Sequence, residues 1–156
     1  ASLISGISAA TGFVAGVIFG SIKQILGRYM IGLGTLAGAV MVLVLSMSQN
    51  LILSGVAIAV YGLAFGMAVP AIYSAVAAKT DEASQNLGST ILLVAVNMGV
   101  FLSPYVFQLI ASAFGDTSAV FSMRVDGLLV LALAVITLVT ASLQKPERAP
   151  KPVHAK

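Results

Sequence analysis

Apolar runs long enough to cross a membrane follow one another along this chain, and short breaks between them carry the charges and turn formers. An apolar helix needs about 20 residues to span the hydrocarbon core. Only 8% of the 156 residues are charged, against roughly 25% in soluble domains. We therefore predict an all-α, polytopic bundle of five transmembrane helices within residues 1–143, with spans near residues 2–20, 30–48, 51–76, 87–113 and 125–143.

The basic residues are divided unevenly between the two sides of this predicted bundle. Because five helices alternate in direction, the first break, the third break and the tail lie on one side. Lys and Arg occur seven times on that side, whereas the other side has Arg124 alone. This bias predicts a multi-pass protein of the cell membrane with its C-terminus in the cytoplasm. The seven residues are Lys23, Arg28, Lys79, Lys145, Arg148, Lys151 and Lys156.

Several classes of function lack the residues they require. The chain has no cysteine, and its one histidine, His154, lies in the tail. Catalysis inside the membrane needs an acid, a base, a metal ligand or an activated nucleophile, and the spans offer serines without such partners. The charges form no basic face for nucleic acid. We predict no enzymatic activity, no metal, no cofactor and no nucleic-acid partner.

Glycines at four-residue spacing mark predicted contact surfaces on the first three helices. In lipid, small residues at this spacing let two helix backbones approach closely. We interpret them as packing seams, with a sliding or hinge surface as the alternative. The glycines are Gly12, Gly16 and Gly20 in the first helix, Gly34 and Gly38 in the second, and Gly62 and Gly66 in the third.

Two prolines fall inside predicted spans. Pro70 in the third span and Pro104 in the fourth each remove one intrahelical hydrogen bond and permit a bend. Bent helices suit the wall of a cavity. The second and fifth spans lack proline and are almost entirely aliphatic, as expected of helices that face lipid.

A polar stripe distinguishes the fourth span. Asn97 and Gln108 share one helical face with Thr90, Leu93, Phe101 and Pro104. An amide in hydrocarbon is costly without a partner, so Asn97 is predicted either to bond a neighbouring helix or to line a polar cavity. Tyr61 and Tyr73 on the third span are further cavity candidates, while Tyr105 is as readily an interfacial anchor.

The ends of the sequence suggest a piece of a larger protein. The chain begins at Ala1 and enters an apolar run at once, without the basic flank and cleavage site of a signal peptide. We expect at least one preceding helix to be missing. Residues 144–156 are rich in proline and charge and are predicted to form a disordered cytoplasmic tail.

The first break resembles a known transporter signature. Residues 12–32, GFVAGVIFGSIKQILGRYMIG, are similar to the second-half copy of the cytoplasmic loop motif of the major facilitator superfamily, roughly G-x-x-x-D-R-x-G-R-[RK]. Gly20, Gly27 and Arg28 match the motif. Gln24 and Ile25 stand where the family usually has Asp and Arg, so the latch attributed to that Asp is not carried over.

The same loop has a physical interpretation that needs no family. Gly20 and Gly27 are predicted to allow a tight reversal between two helices. Lys23 and Arg28 are predicted to hold that reversal in the cytoplasm.

A second stretch strengthens the resemblance. Residues 62–110 look like helices ten and eleven of that superfamily with their connection, and on this alignment the five spans are helices eight to twelve. The family implies two six-helix halves, a substrate site near the bilayer midplane between them, and alternating access. The expected partners are therefore a small-molecule substrate, the lipid bilayer and the missing N-terminal half of the same carrier.

The predicted function is transport of a small solute by a secondary active carrier. No span carries a charged residue in its central part, because Arg124 and Asp126 fall at the outer edge of the last span. We therefore expect any coupling residue on the missing half, and a hydrophobic or amphipathic solute, for instance in efflux. The predicted cavity residues in this half are Tyr61, Met67, Tyr73, Asn97, Phe101 and Gln108.

A channel or a non-transporting membrane scaffold is the alternative function. A channel usually has a polar or charged ring along its pore, and a scaffold a long soluble binding module. The sequence contains neither, and saturation of flux with solute concentration would distinguish a carrier from a channel.

Overall fold

The computed structural model describes residues 2–144, with side chains from Gly6 onward. The predictions for the tail, including Lys145, Arg148, Lys151, His154 and Lys156, fall outside the described residues. Within them the chain is helical and has no strand, which confirms the all-α class. Its elements are α1 (Ser2–Leu26), a 3₁₀ turn (Gly27–Tyr29), α2 (Met30–Met47), α3 (Leu51–Ala77), α4 (Gln85–Phe114) and α5 (Ala119–Leu143).

Four helical stretches are long and apolar enough to cross a membrane, which indicates a membrane protein. The sequence predicts five, and the difference lies at the first break. There α1, the 3₁₀ turn and α2 follow one another without a non-helical residue, so Gly6–Met47 forms a single stretch of 42 residues. The other three stretches are α3, α4 and α5.

The chain nevertheless doubles back within that long stretch. Gly62 of α3 lies against Ser8 of α1, and one turn further along both helices Gly66 lies against Gly12, so α1 and α3 are parallel. By contrast, Gly34 of α2 lies against residues 64 and 68 of α3, while Gly38 faces Tyr61. Helix α2 is therefore antiparallel to both.

The reversal depends on one of the two glycines predicted for it. Gly27 has a φ of +49°, in the left-handed region that glycine adopts without steric cost. Gly20 takes no part in the turn, because α1 continues to Leu26. The prediction that Gly20 helps to form the reversal is therefore wrong, and the break between the helices is only the 3₁₀ turn.

Helix α5 packs along α2 in the opposite direction. A Cβ atom placed on Gly32 would lie 2.6 Å from Cδ2 of Leu138, and one on Gly127 would lie 2.7 Å from Cδ2 of Leu43. Both glycines are buried, so the two helices approach closely at two separated points. The helices α1, α3, α2 and α5 thus form one packed layer in that spatial order.

Helix α4 is the least packed element. Gly88 near its start lies against Val76 of α3 and Thr80 just beyond that helix. Phe114 at its end contacts Phe121 of α5, with tilted rings whose centroids are 5.8 Å apart. Between these points the helix is exposed, and Ala111 is its one buried residue. Pro104, like Pro70 in α3, lies inside an uninterrupted helix.

Capping explains why α5 begins before its predicted span. Gly115 closes α4 with a φ of +72°, and the Ser118 hydroxyl accepts a hydrogen bond from the Phe121 N–H at 3.1 Å. This N-cap satisfies a backbone donor at the helix start. The helix therefore begins at Ala119, and residues assigned to the outer break lie in its first two turns.

Candidate functional site

The largest described cavity lies between α1, α2, α3 and α5. Its volume is about 1020 Å³, comparable with the larger ligand sites of proteins, which measure about 300–1,000 Å³. Phe65 in its wall is 58% exposed, so the cavity opens to the outside of the bundle. The lining comprises Ser8, Ala9, Gly12, Gly16, Val42, Leu45, Ser54, Ile58, Tyr61, Gly62, Phe65, Gly66, Val69, Pro70, Met123 and Asp126.

The cavity exists because α1 presents glycines where other residues would fill the space. Gly12 approaches the backbone of α3, whereas Gly16, one turn further along, has no atom within 4 Å of the place where its Cβ would be. The seam of small residues is thus closed at Gly12 and open at Gly16. This opening supplies part of the space between the helices.

The chemistry of the wall is apolar with a few polar groups. Aliphatic and aromatic side chains dominate, and the polar side chains are those of Ser8, Ser54, Tyr61 and Asp126. Tyr61 also stacks on Phe65, with ring centroids 6.2 Å apart. Such a surface suits an apolar ligand oriented by a small number of polar contacts.

Asp126 is the charged residue of this cavity. Among the residues that the structure describes, it is the one ionisable carboxylate in the lining, and no basic side chain joins it there. It is the eighth residue of α5, so at about 1.5 Å per residue its Cα lies about 10 Å from the helix start. The side chain is partly buried.

This position overturns one expectation from the sequence. The sequence predicts no charged cavity residue in this half, because Asp126 falls at the outer edge of the predicted last span. The Ser118 cap starts α5 six residues earlier than that span, which moves Asp126 inward. The expectation that any coupling residue lies on a missing half therefore loses its basis.

A second carboxylate at the same end of α5 lies outside the cavity. Asp116 in the turn before the helix is fully exposed and accepts a hydrogen bond from the Ser118 N–H at 2.9 Å. That backbone bond, together with the Ser118 hydroxyl, lowers the pKa of Asp116 below its usual value. It provides a natural comparison for Asp126.

The structure brings only part of the predicted cavity set together. Of the predicted cavity residues, Tyr61 lines the cavity, as does Pro70, which the sequence marks as a possible bend. Met67 and Tyr73 lie on the same helix and are partly buried, but they do not line it.

The remaining candidates lie on the exposed helix α4. Phe101 is 66% exposed, and Gln108 and Asn97 are also exposed. Asn97 donates a hydrogen bond from Nδ2 to the Leu93 carbonyl oxygen at 2.8 Å, within its own helix. Asn97 and Phe101 line a shallow groove of about 380 Å³ that is formed by α4 residues alone.

The residues of the loop motif gather at the opposite end of the bundle from Asp126. Lys23 lies over the Phe19 ring at 5.7 Å and Arg28 over the Tyr29 ring at 4.9 Å. Arg28 also donates hydrogen bonds to the Gln144 carbonyl oxygen and the Tyr29 hydroxyl. Gln24 is exposed. It lines neither the large cavity nor a smaller cavity that lies between the basic residues at this end of the bundle.

Asp126 and Gly16 are the functional candidates that sequence reasoning missed. The signal for Asp126 was the serine before Ala119, which is a favoured N-cap residue and extends the helix toward the N-terminus. The signal for Gly16 is weaker, since Gly12, Gly16 and Gly20 form one series and are equivalent in the sequence. Which of them faces a partner depends on tertiary packing.

The described residues contain no group of three histidine or acidic side chains placed to hold a metal ion. Comparison with known proteins yields no match among family models, curated proteins or solved structures. The resemblance to the major facilitator superfamily therefore remains a prediction from the sequence.

Proposed function

We propose that this chain is part of a secondary active transporter that carries a hydrophobic or amphipathic solute. The observation that supports this most is the apolar cavity of about 1020 Å³ between α1, α2, α3 and α5. A membrane enzyme would need a constellation of reactive groups in such a cavity, and its lining has one carboxylate and no base partner. A solute-binding cavity fits its size and apolar wall.

We propose that five crossings, rather than four, place this cavity in the membrane. The antiparallel arrangement of α1 and α2 supports two separate crossings for the 42-residue stretch. Three basic residues of the predicted cytoplasmic side, Lys23, Arg28 and Lys79, line one crevice at one end of the bundle. This supports an N-terminus outside and a C-terminus in the cytoplasm.

Asp126 refines the class of solute. An ionised carboxylate beside apolar side chains is stabilised by a positive charge nearby. In the proposed mechanism, the apolar wall binds the body of the solute and Asp126 attracts a cationic group on it. Alternating access would follow from rocking of this half against the other half of the carrier.

The proposal is tested by a substitution that fills part of the cavity with a larger side chain. Gly16→Leu places a side chain into open space inside the cavity, since nothing lies within 4 Å of its Cβ position. Gly20→Leu is the matched control on the same helix, with open space around it and no part in the cavity. Both variants are expressed within the complete reading frame, and efflux of the fluorescent cation rhodamine 6G from cells is measured against concentration.

We expect saturable efflux. Gly16→Leu should raise the rhodamine concentration at half-maximal efflux about tenfold, which corresponds to about 1.4 kcal/mol of binding free energy, while Gly20→Leu should leave that concentration unchanged. Flux that rises without saturation would indicate a channel instead of a carrier. Equal flux in both variants would remove this cavity from the transport route.

A further inference from the structure

A second cavity lies at the end of the bundle where the basic residues gather. It occupies about 500 Å³ between the C-terminal ends of α1, α3 and α5 and the start of α2. It shares no lining residue with the large cavity that contains Asp126. We refer to it as the basic crevice.

Three cationic side chains from three different elements line the basic crevice. They are Lys23 of α1, Arg28 of the 3₁₀ turn and Lys79 just beyond α3, and no carboxylate is present in the lining that the structure describes. The positive-inside rule accounts for basic residues on this side of a membrane. It does not require them to surround one cavity.

The strongest donors in the crevice are those of the charged groups, and the Ser74 hydroxyl and the Gln144 amide also line it. Arg28 uses two of its five N–H donors on Gln144 and Tyr29, which fixes the guanidinium against the end of α5. Thr137 and Thr140 give their hydroxyl protons to carbonyl oxygens of α5 at 2.9 Å. An anion would therefore be held by the two ammonium groups and the remaining guanidinium donors.

The helix ends influence where an anion could lie. The C-terminus of each helix carries about half a negative charge, and three such ends meet here. Arg28 donates to the carbonyl of Gln144, which ends α5, and so offsets that charge. An anion is attracted to the exposed rim formed by Lys23 and Lys79 and repelled by the carbonyl groups at the helix ends.

The inner wall of the crevice is apolar and built from small residues. Ala71, Ala75 and Ala141 line it together with Met30 and Ile31. A free phosphate would leave this wall unused, whereas a lipid places its phosphate at the cationic rim and its glycerol and upper acyl chain against apolar atoms. We propose that the basic crevice binds the phosphate headgroup of an anionic membrane lipid.

The test measures lipid binding to the full chain by native mass spectrometry. The protein is purified in detergent and titrated with phosphatidylglycerol and, separately, with zwitterionic phosphatidylcholine of the same acyl chains. Lys23→Gln combined with Lys79→Gln removes the two ammonium groups. Arg124→Gln is the matched control, because Arg124 is an exposed cation at the opposite end of α5. All basic residues beyond Gln144 stay in every variant.

We expect the unmodified chain to prefer phosphatidylglycerol, and the double variant to bind it roughly tenfold or more weakly, since each cation near anionic lipid contributes substantially. Arg124→Gln should leave the affinity unchanged, and Lys23→Arg with Lys79→Arg should retain it. Retained binding in the charge-conserving variant shows that the fold survives changes at these two positions.

Three results would overturn the assignment. A loss of binding free energy in Arg124→Gln half as large as that in the double variant, in proportion to the charges removed, would mean that net charge alone attracts the lipid. Equal affinity for the two lipids would remove the role of the anionic headgroup. If millimolar inorganic phosphate displaces phosphatidylglycerol, and the length of the acyl chains does not change the affinity, the occupant would be free phosphate. None of these outcomes depends on whether the large cavity transports a solute.

Discussion

At the residue scale, Asp126 combines two properties that conflict in a membrane helix. It is a carboxylate, and it lines an apolar cavity together with Ile58, Phe65 and Met123. Ionisable residues within membrane segments are costly and usually serve a ligand, an ion or a proton. The cost of this side chain is most simply offset when a positive charge occupies the cavity with it.

This gives a prediction that depends on charge and not on shape. Tetraphenylphosphonium and tetraphenylborate are nearly identical in size and opposite in charge. We expect the purified chain to bind the cation more tightly, and Asp126→Asn to lower that affinity by about tenfold while leaving or raising the affinity for the anion. Isothermal titration in detergent measures both constants.

Asp116→Asn serves as the control for this prediction, because that carboxylate is exposed and outside the cavity. It should leave both affinities unchanged. Acidification should weaken cation binding once the Asp126 carboxyl becomes protonated, and the Asp126→Asn variant should lose this pH dependence. Equal affinity for the two probes in the unmodified chain would contradict the assignment.

At the element scale, helix packing depends on a few glycines that are not equivalent. A Cβ on Gly66 would lie 2.5 Å from the carbonyl oxygen of Gly12 and 2.8 Å from its Cα. These are backbone atoms, so neither can yield without moving a helix. The same substitution at Gly99 of α4 would meet nothing within 4 Å.

We predict that Gly66→Ala separates α1 from α3 and lowers the free energy of unfolding by about 1–3 kcal/mol, the usual cost of overpacking. Gly99→Ala should be neutral or slightly stabilising, since alanine has the higher helix propensity. Denaturation of the detergent-solubilised chain, followed by circular dichroism, gives both values. A loss at Gly99 as large as at Gly66 would show that glycine is needed for reasons other than close approach.

The bounds of the helices can be predicted from the sequence better than their packing partners. The order of the helices and the bounds of α2 and α3 follow from hydropathy and from the polar breaks, because Asn50 caps α3 where the apolar run begins. The polar stripe of the fourth span does form one face of α4. Periodicity identifies such a face, but it does not identify which helix or cavity the face contacts. Asn97 therefore bonds its own helix in the structure, and the described cavity forms without it.

At the scale of the whole molecule, the arrangement of the helices is a consequence of one turn. Gly27 permits the reversal that sets α1 and α2 in opposite directions, and both helices pack on α3. This places Lys23 and Lys79 beside the same crevice, and Asp116 and Arg124 toward the other end. If the 42-residue stretch crossed the membrane only once, the segment near Gly27 would lie in the hydrocarbon core.

That distinction can be tested because the chain contains no cysteine. Single cysteines are introduced as Gln24→Cys, Lys79→Cys and Asp116→Cys, all at exposed positions. With five crossings, a membrane-impermeant maleimide should label positions 24 and 79 from one side of sealed vesicles and position 116 from the other. With four crossings, position 24 would lie in lipid and react only after detergent is added, and positions 79 and 116 would still react from opposite sides. The reactivity of position 24 therefore decides the number of crossings, and with it whether the large cavity and the basic crevice lie toward opposite faces of the membrane.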